Sequence, residues 1–185
     1  MSFQRQKVKN MLLYFSSEIP QITSIKLQKA MLLADRYNWA VTGTSVSGLQ
    51  YVKKPFGPVM EKAGQRILSS LDNDSIDVEY EPMPGDCEKV MRTAIASVDY
   101  TLFSDTEKHS LSFARDFVRE HSTEELSTMT HDAAWEAAED GEPIPYESSV
   151  CINFDANDEP TEEETAAAFS ALAAVDKSLL VGEAV

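Results

Sequence analysis

Few side chains in this sequence are spaced to do chemistry. His131, in Met129-Thr130-His131-Asp132-Ala133-Ala134-Trp135, lies beside a carboxylate and four residues before an indole, a pattern that suits an acid/base group or a binding contact. No nucleophile is patterned with it. The plainer reading is a helix start in which Thr130 caps, His131 makes one hydrogen bond and Trp135 fills core. Cys87 can meet a histidine only through space, and an unpaired cysteine is more often buried and inert than nucleophilic. Three His and two Cys without CxxC or HxxxH spacing argue against a transition-metal site. The seven scattered glycines form no phosphate-cradling loop. The 31 Asp and Glu are too many to single out an acid/base pair. The patterns assign no catalytic residue, no metal and no cofactor, and an enzyme with His131 as base stays open as an alternative.

Charge says more. The net charge of -15 hides an asymmetry: residues 1–66 carry 10 Lys and Arg against 3 Asp and Glu, whereas residues 67–185 carry 6 against 28. Lys26, Lys29, Lys53, Lys54, Lys62 and Arg66, with Tyr51 and Phe56 nearby, are of the types that touch phosphates and stack on bases. The overall acidity argues against nucleic acid as the partner and toward contacts with the acidic half of the chain or with another protein. A nucleic-acid-binding regulator using this basic third stays open as a further alternative. The apolar run Met11–Phe15 is too short for a secretory core, and no run approaches the ~18 residues of a membrane span. Two cysteines in 185 residues make no disulfide framework, so a cytoplasmic location without membrane contact is expected.

The elements that position these residues read as mainly α: a compact domain of six or seven helices with a small β element, and a further helix near the C-terminus. Val8, Met11, Leu12 and Phe15 predict a helix over 4–16. Ile25, Leu27, Met31, Leu32, Leu33, Ala34, Tyr37, Trp39 and Ala40 predict a second over 25–41, capped by Ser24, apolar on most sides and therefore central. A strand near 49–54 ends in the turn Pro55-Phe56-Gly57-Pro58, and Pro58 opens a third helix over 59–71. Alternation of Ile76, Val78 and Tyr80 with Asp77, Glu79 and Glu81 predicts a strand over 76–82, stopped by Pro82 and Pro84 and able to pair with the strand near Tyr51. Val90, Met91, Ala94, Ile95 and Val98 suggest a helix over 86–102. Capping boxes at Ser104–Glu107 and Ser122–Glu125 open two more, and a short helix over 131–140 stops at Gly141. Residues 1–148 read as one domain. Residues 149–185 read as an acidic linker followed by a helix opened at Thr161–Glu164, with Phe169, Leu172, Val175 and Leu179 on a narrow apolar stripe.

Three motifs in order carry a resemblance. Lys26-Leu27-Gln28-Lys29 runs into Met31, Leu32 and Tyr37; Gly48-Leu49-Gln50-Tyr51-Val52 leads to Gly57-Pro58-Val59; Thr130-His131 precedes Trp135. Together they resemble the Panacea domain of SocA-like antitoxins and related phage-associated proteins, over about Val8 to Pro145. This chain has Met31-Leu32-Leu33 where members often have Leu-Leu-Tyr, and Ala134 where a proline is common. The resemblance implies a chain that is not an enzyme but an antitoxin that binds and neutralises a cognate protein toxin. It also allows an adaptor that hands the toxin to a protease, or a phage-encoded inhibitor of a host defence protein. The expected contact residues are Tyr51, Lys53, Lys54 and Phe56 on a rigid exposed turn, His131 and Trp135, and the stripe Phe169, Leu172, Val175 and Leu179 as a helix docking in a groove.

Overall fold

The computed structural model describes residues 3–85 and 87–146. The expected C-terminal helix, with Phe169, Leu172, Val175 and Leu179, and the boundary between residues 148 and 149 lie outside the described residues.

Among the described residues, six α-helices and six strands follow one another as α1 (Phe3–Glu18), β1 (Ile22–Thr23), α2 (Ser24–Thr42), β2 (Tyr51–Val52), β3 (Val59–Met60), α3 (Lys62–Ser69), β4 (Ile76–Met83), β5 (Cys87–Ala94), α4 (Asp105–Glu120), α5 (Thr123–Met129), α6 (Ala133–Ala137) and β6 (Pro143–Ile144), with a 3-10 turn at Tyr100–Leu102 before α4. The fold is mostly helical, with more strand than the sequence pattern predicts.

Helix α2 is the axis. Thr23, not Ser24, caps it, its hydroxyl accepting from the Lys26 N–H, and Gly43 ends it in the left-handed region with its N–H on the Trp39 carbonyl. Every residue from Leu27 to Arg36 is buried. A helix enclosed on all sides has no polar face to give to water, so its polar side chains must find partners inside. Helices α1 and α4 pack on it with Val8, Met11, Leu12 and Phe15 from the first and Leu111, Ala114 and Val118 from the second. Both capping boxes form, Ser104 with Glu107 and Ser122 with Glu125.

The β structure departs from expectation in four ways. Residues 87–94 are a strand rather than the first half of a helix: β5 pairs antiparallel with β4 along its whole length, from Ile76 opposite Ala94 to Met83 opposite Cys87. The 3.6-residue spacing of Val90, Met91 and Ala94 is a coincidence of a short window, and the Pro84-Gly85 turn beside β4 decides for a hairpin. Secondly, Pro82 lies within β4 instead of ending it, which an edge strand tolerates. Thirdly, β4 does not pair with the strand at Tyr51. It belongs to a sheet ordered β1-β5-β4, while β2 is central in a second sheet ordered β3-β2-β6. Fourthly, Val59 and Met60 pair back onto Val52 and Tyr51, so Pro58 opens a strand and α3 begins only at Lys62. The last helix is shorter than 131–140, spanning Ala133–Ala137, and Asp132 rather than Thr130 caps it.

Candidate functional site

The interior polar side chains of α2 fasten the segments packed around it. Gln28 Oε1 accepts from the Met60 N–H at 2.9 Å, and Lys29 Nζ donates to the Pro58 carbonyl at 3.1 Å, so one helical turn holds the chain at β3. Asp35 accepts from the Ser47 N–H at 2.7 Å, from the Ser47 hydroxyl and from the Tyr51 hydroxyl at 2.7 Å. Arg36 Nη1 lies 2.7 Å from Asp132 Oδ2 in an ion pair shielded from water on both sides. Asn38 donates to the Thr44 carbonyl at 2.7 Å and accepts from Ser110 of α4 at 3.1 Å. Buried backbone that is not in helix or long strand needs such partners.

The three motifs meet at the middle of this ladder. Lys54-Pro55-Phe56-Gly57 is a tight turn closed by the Gly57 N–H on the Lys54 carbonyl at 2.9 Å, with proline setting the second position. Gly57 has φ +88°, and a methyl group there would overlap Lys29 Nζ and stand 2.6 Å from Thr130 Oγ1 and 3.3 Å from His131 Cδ2. Only glycine allows that approach. The Thr130 hydroxyl donates back to the Leu126 carbonyl at 2.8 Å, and Asp132 Oδ1 takes the Trp135 N–H at 2.9 Å. The His131 ring lies parallel on the Trp135 ring, centroids 3.7 Å apart. Lys53 Nζ sits 4.2 Å from the Trp135 ring and also donates to the Ala138 carbonyl at 2.9 Å, while Trp135 Nε1 donates to the Lys54 carbonyl at 3.1 Å. Gly57→Ala should lower stability by ~2–4 kcal/mol, from the positive φ and the overlap together, read as a drop of several degrees in the unfolding midpoint.

Burial sets the ionisation of this cluster. It brings the Lys29 amine down to about 7, with Arg36 adding to the effect. His131 is likewise lowered, first by burial and then by Lys29 and Lys53, so its ring is neutral at pH 7. Burial also weakens the hold of Arg36 on its proton, opposed by Asp132. Lys29 Nζ on the Pro58 carbonyl fastens the turn to α2, and Trp135 Nε1 on the Lys54 carbonyl fastens it to α6.

Of the expected contact residues, Phe56 stands out into solvent, 66% exposed, whereas Lys53, Lys54, His131 and Trp135 are half-buried. Tyr51 is a correction: it is buried on Asp35 and faces no partner. Beside Phe56 is an open cleft of about 200 Å³ between the turn and the first turns of α2, lined by Ser24, Ile25, Gln28, Lys29, Lys54, Phe56 and Val59. The basic group is dispersed by internal contacts: Lys26 reaches the Val118 and His121 carbonyls at the end of α4, Lys29 is buried, and Lys54 pairs with Asp140. Cys87 is exposed rather than buried. Asp35, Arg36 and Asp132 were not singled out from the sequence, although a charged pair inside an apolar helix was the available signal. Among the described residues no group of His, Cys, Asp and Glu is placed to hold a metal ion, and no helix is long and apolar enough to cross a membrane.

This geometry coincides with a match to a known family. The family described as antitoxin SocA-like, Panacea domain, matches residues 27–136. No curated protein and no solved structure matches the chain.

Proposed function

The chain belongs to the SocA-like, Panacea-domain antitoxin family, and from that premise we propose that it binds a cognate protein toxin and neutralises it by direct contact, without catalysis. The match itself carries the reading, since it spans the motifs from Leu27 to Trp135 that converge on Gly57. The contact we assign is the Phe56 turn and its adjoining cleft. A large aromatic ring held out by a turn that is fastened from behind loses little freedom on binding, which is how an anchor residue gains affinity.

Co-expression with the neighbouring gene is the test. Growth should stop with the neighbour alone and return with this chain present; a neighbour harmless by itself sinks the reading. Measuring the toxin's level in the rescued cells separates the two mechanisms the family allows: a steady level means blocking, a falling level means delivery to a protease. Phe56→Ala should leave stability within ~0.5 kcal/mol and weaken toxin binding by ~2 kcal/mol or more, about thirtyfold in Kd.

A further inference from the structure

The β4–β5 hairpin is longer than its support. Strand β1 pairs with β5 only at Ile22 opposite Arg92 and Thr23 opposite Met91, near the hairpin's base. Beyond Val78, every residue of β4 is exposed, and Tyr80 is 58% exposed. A two-stranded ribbon in water is marginal on its own, so an arm of this kind invites a third strand.

The register says which main-chain groups are free to receive one. At the base, the Ile76 N–H donates to the Leu71 carbonyl, the Ile76 carbonyl accepts from the Asn73 N–H, and the Ile95 N–H donates to the Ser75 carbonyl. Ile76 therefore points its backbone away from β5, and alternation in an antiparallel ladder places Val78, Tyr80 and Pro82 the same way. The N–H and C=O of Val78 and Tyr80, with the C=O of Pro82, line an edge that no described residue pairs. Pro82 lacks an N–H where none is needed by β5, so it limits the edge without weakening the hairpin.

We infer that this edge of β4, over Val78–Pro82, is a strand-addition site for an extended segment of a basic protein partner. Charge selects the occupant. Asp77, Glu79 and Glu81 alternate along β4 on one face, and Lys89 and Gln21 are the described side chains that meet them, on Glu81 and Glu79 respectively. A second copy of the chain would set this acidic row against itself, which disfavours self-pairing. Residues 147–185 contain Lys177 as their single basic side chain, so they too are poorly matched. A strand with Lys or Arg at alternate positions gains both the ladder and the cross-strand charges. The inference does not require the partner to be a toxin.

The probe is a capped ten-residue peptide of alternating Lys and Val, with an alternating Glu and Val peptide as its control, added to the isotope-labelled full chain. Amide exchange at Val78 and Tyr80 should slow about tenfold or more with the basic peptide and not with the acidic one. Tyr80→Pro should remove the effect while the amides of Asp77 and Glu79, bonded to β5, stay protected. The double reversal D77K/E79K should weaken the basic peptide about tenfold and favour the acidic one, which keeps the test open if Tyr80→Pro disturbs the hairpin. Equal protection by both peptides, no protection by either, or protection of these amides that rises with protein concentration alone would overturn the inference, the last in favour of a second copy. Loss of toxin neutralisation in the co-expression assay would leave these outcomes untouched.

Discussion

Asp35→Ala is expected to destabilise the folded chain by ~3–5 kcal/mol, because it strands the Ser47 N–H, the Ser47 hydroxyl and the Tyr51 hydroxyl in a fully buried site. Each buried donor left without an acceptor costs ~1–3 kcal/mol, and partial reorientation of the two hydroxyls keeps the sum below the maximum. Urea unfolding checks it: the midpoint should fall at unchanged slope. The same carboxyl leaves a mark on pH dependence. Burial raises Asp35 from its ordinary 3.8 to about 6, outweighing the hydrogen bonds that pull the other way. The folded state thus holds that proton more tightly than the unfolded chain, so the contribution is complete below about pH 4 and is lost as pH rises through 6. Lys29 acts in a different window. Its amine is lowered to about 7, so stability gains from it as pH climbs from 7 toward 10. The difference between wild type and Asp35→Asn should be confined to the acid window, and that between wild type and Lys29→Met to the alkaline one. A difference curve is the right measurement, because His131 and the hydrogen-bonded carboxylates of Asp116 and Glu125 titrate on the acid side as well.

That network also shows where the sequence stopped being legible. The helix over α2, its centrality and both capping boxes come from local rules, and the motifs at Lys26–Lys29, Gly57–Val59 and Thr130–Trp135 stand in the chain in plain order. Their convergence on Gly57 does not, since it depends on which turn of α2 meets which loop. The error at residues 87–94 has the same origin: the few apolar side chains of this eight-residue stretch, Val90, Met91 and Ala94, fit a helical spacing by chance, and pairing with β4 decides. Tyr51 looked like a contact residue because aromatic residues near lysines often are. Its hydroxyl lies instead on a buried carboxylate, and nothing within ten residues of it announces that Asp35 will be there.

Asp132→Ala should cost as much as any change at the motif cluster, ~3–5 kcal/mol, because it removes the carboxylate facing the buried Arg36 guanidinium and the cap of α6 at once. For function, this separates residues that hold the turn from residues that touch a partner. Asp132 fixes α6, α6 carries Trp135, and Trp135 with Lys53 backs the turn that presents Phe56. Asp132→Ala should therefore lose stability and toxin binding together, with binding partly restored by lowering temperature or adding an osmolyte that favours the folded state. Phe56→Ala should lose binding at full stability, with no such rescue. If Asp132→Ala proves as stable as wild type, the Arg36–Asp132 pair is not what closes the α5–α6 corner onto α2. If Phe56→Ala binds the toxin as wild type does, the turn is scaffold only, and the contact surface lies elsewhere on the chain.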